Sequence, residues 1–176
     1  MRKLTLIVSV LAFSLAAAAT TIRPMTVEEM AASATQVIEG QAVKTWAAWD
    51  AQHNEILTYT RFNVSKTLKG PASKQVVVAQ LGGTVDGFTV KVAGIRHFTV
   101  GESALLFLRP GDTPAAMSLS AMQGNFHLEK DETGAVTASN GLPDMSVLRG
   151  SQVESFSGNR ISLPSLESRI QKAVKQ

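Results

Sequence analysis

The residues that could do chemistry in this chain are its three histidines and the hydroxyl and acidic side chains near one of them. His97 lies between Asp86 and Ser103 in the sequence. In a Ser/His/Asp hydrolase the imidazole takes the proton of the hydroxyl nucleophile, and the carboxylate orients the ring. The segment around Ser103, GESAL, lacks the second glycine of a nucleophile elbow, and strand-like sequence follows it where that motif needs a helix. We therefore predict no catalytic residue and keep a dispersed Ser/His/Asp site only as an alternative.

Metal and thiol chemistry have few candidate ligands. The chain has no cysteine, which excludes thiolate nucleophiles, disulfides and cysteine-based zinc sites. His53, His97 and His127 are 44 and 30 residues apart, without the H-E-x-x-H spacing of a zinc-binding helix. We predict no metal site and no cofactor, although strands distant in sequence could still bring the histidines together.

The segment LGGTVDGFTV, residues 81–90, has glycines spaced like those of a phosphate-binding loop. Such a loop needs a lysine after its second glycine and a helix whose first N–H groups face the phosphate. Here Phe88 follows Gly87, and the β-branched residues after it are typical of a strand. We predict that these glycines make a structural turn and bind no phosphate.

Two segments carry residues suited to binding a partner. Residues 45–55 hold both tryptophans of the chain, Trp46 and Trp49, next to a polar hairpin tip. Tryptophan is a frequent anchor of binding surfaces, and it can equally close the end of a barrel. Arg96 and His97 interrupt an apolar region, where the arginine could contact a carboxylate, bind a partner or be a plain loop cation. We predict a binding surface formed by these four residues.

A mainly β fold must position these side chains. Residues 25–34 predict a short helix that begins at Thr26, with Glu29 completing a capping box. From 36 to 139 the sequence alternates or forms short apolar runs, which indicates about seven or eight consecutive strands and a single antiparallel barrel. Residues 162–175 predict an amphipathic C-terminal helix.

The division of the chain follows from this pattern. Residues 1–19 have the charged start, apolar run and small residues of a signal peptide, with cleavage near Ala18 or Ala19. Residues 20–139 then form the β-barrel domain, and residues 140–176 form a connecting arm and the C-terminal helix packed on the barrel. We therefore expect a periplasmic or secreted protein with no membrane contact after signal removal.

The charge of the mature chain argues against nucleic acid as a partner. The full chain carries +3, but residues 1–19 contain two bases and no acid, which leaves +1. Nucleic-acid-binding domains usually combine a strong basic patch with aromatic residues that stack on bases. Aromatic residues are only 6% of this chain. We therefore predict no nucleic-acid partner.

Several segments follow one another in an order that resembles a known group. These are ATQVIEGQAVKT, YTRFNVSKTLKG, LGGTVDG, FTVGESALLFLRPG and QGNFHL. Over about residues 26–128 they resemble a group of uncharacterised secreted bacterial proteins, which implies a small exported domain and no particular activity. An early strand followed by a long strand that ends in LKG is also similar to netrin modules and tissue inhibitors of metalloproteinases. That resemblance implies an OB-like β-barrel.

The inhibitors of that second group act through an N-terminal cysteine, and this chain has none. The resemblance therefore implies architecture more than inhibition. Export, a barrel-like strand pattern and the lack of a catalytic constellation predict a non-catalytic binding module that contacts a protein or an envelope component. Two alternatives stay open: an inhibitor or accessory module of a secreted protease, and the dispersed hydrolase described above.

Overall fold

The computed structural model describes residues 21–112, 116–142, 146–149, 152–155 and 158–175. The predicted signal peptide therefore lies outside the described residues. The fold is mainly β, with 49% strand and 14% helix, which confirms the predicted class. Its elements, in chain order, are β1 (Thr21–Ile22), α1 (Val27–Ser33), β2 (Gln36–Trp49), β3 (Ile56–Lys69), β4 (Gln75–Leu81), β5 (Gly83–Val85), β6 (Phe88–Val90), β7 (Ser103–Pro110), β8 (Met117–Leu119), β9 (Asn125–Lys130), β10 (Val136–Ser139), β11 (Ser146–Arg149), β12 (Gln152–Ser155), β13 (Arg160–Ser162) and α2 (Leu163–Val174).

The N-terminal helix α1 forms as the sequence predicts. The Thr26 side chain accepts a hydrogen bond from the Glu29 backbone N–H at 3.1 Å, and the Glu29 carboxylate accepts one from the Thr26 backbone N–H at 2.8 Å. This capping box satisfies two of the N–H groups that a helix leaves free at its start. Val27, Met30 and Ala31 are buried. The short helix is therefore stabilised mainly by packing on the sheet.

Strands β2 and β3, each 14 residues long, form the central hairpin. Four side chains of β3 alternate into the interior: Ile56, Thr58, Thr60 and Phe62. The register between β2 and β3 shifts at three points along β2. Such bulges bend a strand and increase its twist. The bent hairpin pairs with β7 along the first part of β2 and with β4 along the first part of β3.

The largest sheet has eight strands in the order β13-β10-β9-β7-β2-β3-β4-β8, and β8 pairs with β7 as well as with β4. Most neighbours are antiparallel. However, β4 and β8 are parallel at the Val78–Met117 pair, and β1 is parallel to β11. The prediction of a wholly antiparallel sheet is therefore corrected. Parallel pairs join strands that are distant in sequence, and local alternation carries no information about them.

Strand β7 lies between two apolar clusters. Leu105 and Phe107 belong to a cluster that joins both helices to the sheet, together with Met30, Phe126 and Ile170. Ala104, Leu106 and Leu108 point the other way, into a cluster with Phe62, Val78 and Phe98. Because both of its faces are buried, β7 is apolar at every position from 104 to 108 and does not alternate with polar residues.

The C-terminal helix α2 also forms where the sequence predicts it. Leu166 and Ile170 are buried, and the Arg169 guanidinium donates to the Glu28 carboxylate of α1 at 2.7 and 2.8 Å. The segment expected as a connecting arm contains three short strands, and β13 extends the large sheet beside β10. Strands of three or four residues are too short for alternation to reveal them. Neither described helix has the length and apolarity needed to span a membrane.

Candidate functional site

The outer face of the β2–β3 hairpin carries a stacked aromatic pair. Trp46 on β2 is directly opposite Tyr59 on β3, and their ring centroids are 5.5 Å apart with an angle of 15° between the planes. Both side chains are half-buried. Stacking fixes the two rings against each other and leaves a rigid, partly apolar surface towards solvent.

Two cations flank this pair. Lys44 Nζ is 5.4 Å and Arg61 Cζ is 5.8 Å from the centroid of the Trp46 ring. Both distances allow cation–π attraction, which extends to roughly 6 Å. Within the described part of the chain, neither cation forms an ion pair with a carboxylate. We call Lys44, Trp46, Tyr59 and Arg61 the Trp46 face.

Trp49 lies on the other face of β2, because side chains alternate along a strand and Trp49 follows Trp46 by an odd number of residues. It is opposite the buried Ile56. Its ring stacks on His53, with centroids 4.9 Å apart, and meets the edge of Phe88 at 6.1 Å. The two tryptophans predicted to share a surface therefore belong to two separate aromatic clusters.

The glycine-rich segment 81–90 forms the β5–β6 hairpin, which supplies Phe88 to the second cluster. Asp86 and Gly87 have φ angles of 51° and 82°, as a tight two-residue hairpin turn requires. Phe88 begins strand β6, so these residues provide no helix N-terminus for a phosphate. The prediction of a structural turn is confirmed.

Arg96 contacts a carboxylate of its own chain, which is one of the roles the sequence left open. Its Nη1 donates to Glu102 Oε1 at 2.5 Å and lies 2.6 Å from Nδ1 and 2.9 Å from Nε2 of His127. His127 Nδ1 contacts the same Glu102 oxygen. The other Glu102 oxygen accepts from the Thr99 backbone N–H at 3.0 Å. These contacts fasten the loop before β7 to strand β9.

Burial and neighbouring charges shift the protonation of this cluster. Burial lowers the pKa of His127, and the Arg96 guanidinium lowers it further. Burial alone would raise the pKa of Glu102, but the Thr99 backbone N–H and Arg96 hold it below its ordinary value. The lowered pKa keeps His127 neutral near pH 7, and its Nδ1–H can then donate to Glu102. The cluster is suited to holding the loop in place.

His97, Asp86 and Ser103, the side chains of the dispersed Ser/His/Asp site that the sequence left as an alternative, lie in three different local environments. His97 Nε2 donates to the Leu81 carbonyl at 2.9 Å. Asp86 is in the β5–β6 turn, and Ser103 begins β7 opposite Gln41. In the described ranges, Ser103 makes no hydrogen bond to a histidine. No group of three His, Asp or Glu side chains suited to a metal occurs in those ranges either.

Sequence reasoning missed Lys44, Tyr59 and Arg61. A signal for the last two was available, because the inward alternation of β3 from Ile56 implies that Tyr59 and Arg61 point outward. Their pairing with Trp46 depends on the register between β2 and β3. That register includes three shifts, which local sequence does not reveal.

No protein-family model matches this chain, and no curated protein matches it significantly. The resemblances to secreted bacterial proteins and to OB-like modules therefore stay predictions. The candidate site rests on the geometry of this chain alone.

Proposed function

We propose that the protein is an exported, non-catalytic binding module built on an OB-like β-barrel, and that the Trp46 face binds an anionic protein or envelope component. The strand pairings support the architecture. In the order β2, β3, β4, β8 and β7, each strand pairs with the next, and β7 pairs again with β2. Five strands paired in a cycle are the arrangement expected of a small Greek-key barrel of the OB type.

The observation that carries the proposed function is the stacked Trp46–Tyr59 pair with two cations beside it. Aromatic residues and arginine are enriched at binding surfaces, because they offer large contact areas and lose little conformational freedom. Cations without a carboxylate partner in the described chain favour a ligand that brings negative charge. Tyr59 and Arg61 lie on the second strand of the proposed barrel, whose outer face commonly binds ligands in OB folds.

A fluorescence titration tests this proposal directly. Trp49→Phe leaves Trp46 as the only tryptophan of the chain and keeps an aromatic ring beside His53. We expect heparin and polyglutamate, used as polyanion probes, to change the Trp46 emission in a salt-dependent way, and neutral dextran to leave it unchanged.

Two double variants with the same change in charge show whether the polyanion binds at the Trp46 face or through net charge. In the same background, Lys44→Gln with Arg61→Gln should weaken polyanion binding by about fivefold, as two exposed charge contacts would. Lys172→Gln with Lys175→Gln makes the same charge change at the C-terminal helix and should have little effect. Equal weakening by both double variants would mean that net charge, not the Trp46 face, drives binding. An unchanged Trp46 emission with every probe would refute the proposed ligand class.

A further inference from the structure

The outer surface of strands β3 and β4 continues the Trp46 face with apolar side chains. On both strands buried residues alternate with partly exposed ones, and the partly exposed ones point outward. Leu57 pairs with Leu81, and Tyr59 pairs with Ala79. All but one of these side chains are half-buried, and Leu81 is 40% exposed, so part of each is open to solvent. The β3–β4 face is the name used here for Leu57, Tyr59, Val77, Ala79 and Leu81.

The β3–β4 face leads into a cavity of about 500 Å³. Leu57, Ala79 and Leu81 line this cavity, together with Leu119 and Met122. Pockets of roughly 300 to 1,000 Å³ with mainly apolar walls are typical sites for small organic ligands. Since Ala79 lies opposite Tyr59, which stacks on the ring of the Trp46 face, the cavity and that face adjoin each other.

The other end of the β3–β4 face carries two cations in opposite positions. Lys44 of β2 pairs with Arg61 of β3, and Arg61 pairs with Val77 of β4. Like charges directly opposite each other destabilise a sheet. An anion between Lys44 and Arg61 relieves that repulsion, and a guanidinium can bind a carboxylate through two parallel hydrogen bonds. This end therefore favours the charged head of an anionic ligand.

The charges around the cavity orient such a ligand. The ionisable residues that line the cavity are three carboxylates and one guanidinium, from Asp50, Glu55, Asp112 and Arg109. Their formal sum of −2 repels an anionic head, whereas an uncharged hydrocarbon chain is not affected by it. The apolar part of the ligand therefore belongs in the cavity, and the head belongs between Lys44 and Arg61.

We propose that the Trp46 face and the cavity form one elongated site for a single-chain anionic amphiphile of the fatty-acid type. The carboxylate lies between Lys44 and Arg61, and the chain runs over Tyr59 and Ala79 into the cavity. Strand β3 covers about 13 Å from Arg61 to Leu57, at roughly 3.3 Å per residue, which is comparable to the length of an extended dodecanoate chain. This inference rests on the function proposed for the Trp46 face and names its ligand class.

Isothermal titration calorimetry of the full mature chain, with probes below their micelle-forming concentrations, tests the ligand class. Dodecanoate should bind at least about tenfold more tightly than octanoate, because each additional CH₂ group in a partly open groove should strengthen binding by about twofold. Dodecyltrimethylammonium, which has the same chain and the opposite charge, should bind at least about tenfold more weakly than dodecanoate. Equal binding of dodecanoate and octanoate, or of dodecanoate and dodecyltrimethylammonium, would overturn the proposal.

Substitutions along the β3–β4 face locate the chain. Ala79→Phe places a ring between Tyr59 and the cavity and should lower dodecanoate affinity by at least about tenfold. Thr89→Phe adds the same ring to an exposed strand position and is the control. Leu81→Glu, at a side chain exposed enough to tolerate a charge, should also weaken dodecanoate binding. Unchanged dodecanoate affinity in both Ala79→Phe and Leu81→Glu would show that the chain does not lie there.

Two further probes separate this inference from its alternatives. Ala79→Phe should leave polyglutamate binding unchanged, because Lys44 and Arg61 are intact. If polyglutamate binds but dodecanoate binds no more tightly than octanoate, the amphiphile inference fails and the function proposed for the Trp46 face stands; if neither binds, both fail. Vesicles of phosphatidylglycerol offer acyl chains and negative charge only as a bilayer, and the protein should not sediment with them. Sedimentation with vesicles in the absence of dodecanoate binding would replace the free amphiphile with a membrane surface.

Discussion

Replacing Glu39 with glutamine should stabilise the protein above pH 7 and leave its stability at pH 4 nearly unchanged. Glu39 lies on β2 opposite Leu105 and is 8% exposed. Lys66 Nζ is 2.6 Å from a Glu167 oxygen of helix α2 but 3.9 Å from Glu39 Oε1, which has no hydrogen-bond partner in the described part of the chain. The lysine therefore neutralises Glu167 better than Glu39.

This geometry sets the direction of the pH dependence. Burial raises the pKa of Glu39 from 4.5 to about 7; the Glu167 carboxylate beside it adds to the shift, and Lys66 opposes it. Between these two pH values the folded protein keeps a proton that the unfolded chain has lost. The stability that this group contributes is therefore fully present below pH 4.5 and is lost as the pH rises through about 7.

The size of the effect follows from the same shift. At about 1.4 kcal/mol for each pKa unit, the shift of Glu39 alone corresponds to roughly 3 kcal/mol in the free energy of unfolding. The pKa of Glu167 is lowered by its contacts with Glu39 and Lys66, so the pair as a whole titrates with a smaller net effect. We expect a stabilisation on the order of 1 to 2 kcal/mol at pH 8.

Urea unfolding at pH 4 and pH 8 measures this difference. Glutamine can donate to Glu167 as the protonated carboxyl does, so the pH 4 values of the variant and the wild type should agree closely. Glu132→Gln, in an exposed turn, should change neither value appreciably and serves as the control. If Glu39→Gln shifts the free energy of unfolding equally at both pH values, or destabilises the protein at pH 8, then Glu39 does not titrate as argued.

Two further predictions concern the loop before β7 and the β5–β6 hairpin. Arg96→Gln should raise the pKa of His127, because the guanidinium charge helps to lower it. An NMR titration of the His127 ring should then show its midpoint at a higher pH than in the wild type. An unchanged midpoint would mean that burial alone lowers the pKa. Gly82→Ala should lower the melting temperature more than Gly87→Ala. Both glycines have positive φ, a conformation that costs alanine roughly 1 kcal/mol. In addition, a Cβ added at Gly82 would lie 2.7 Å from the Val90 carbonyl oxygen, whereas a Cβ added at Gly87 would meet open space. Equal losses would contradict this steric argument.

The parts of the fold that the sequence predicted well depend on neighbouring residues. Helix α1 was predictable because Thr26 and Glu29, three residues apart in the sequence, form a capping box. The β5–β6 turn was predictable because Asp86 and Gly87 suit positive φ and a strand-like run follows them. The short strands β11 to β13 were not predictable, because three or four residues are too few to show an alternation.

The candidate site was predicted only in part. Trp46 and Arg96 were identified by residue type, but their partners were not. Trp46 meets Tyr59 through a bulged register, and Arg96 meets His127 across 31 residues of chain. Strands β4 and β8 pair in parallel at a single residue on each strand, which sequence periodicity does not predict.

The sequence by itself determined the mainly β class, both helices, the glycine turn and the inward face of β3. Capping, alternation and turn conformation depend on side chains a few residues apart, so they can be read along the chain. The tertiary structure alone decided that the tryptophans lie on opposite faces, that β8 pairs with both β4 and β7, and that the buried side-chain oxygen of Asn125 has no hydrogen-bond partner within the described part of the chain. Each of these depends on register and packing between distant strands, and many registers are compatible with the same local pattern.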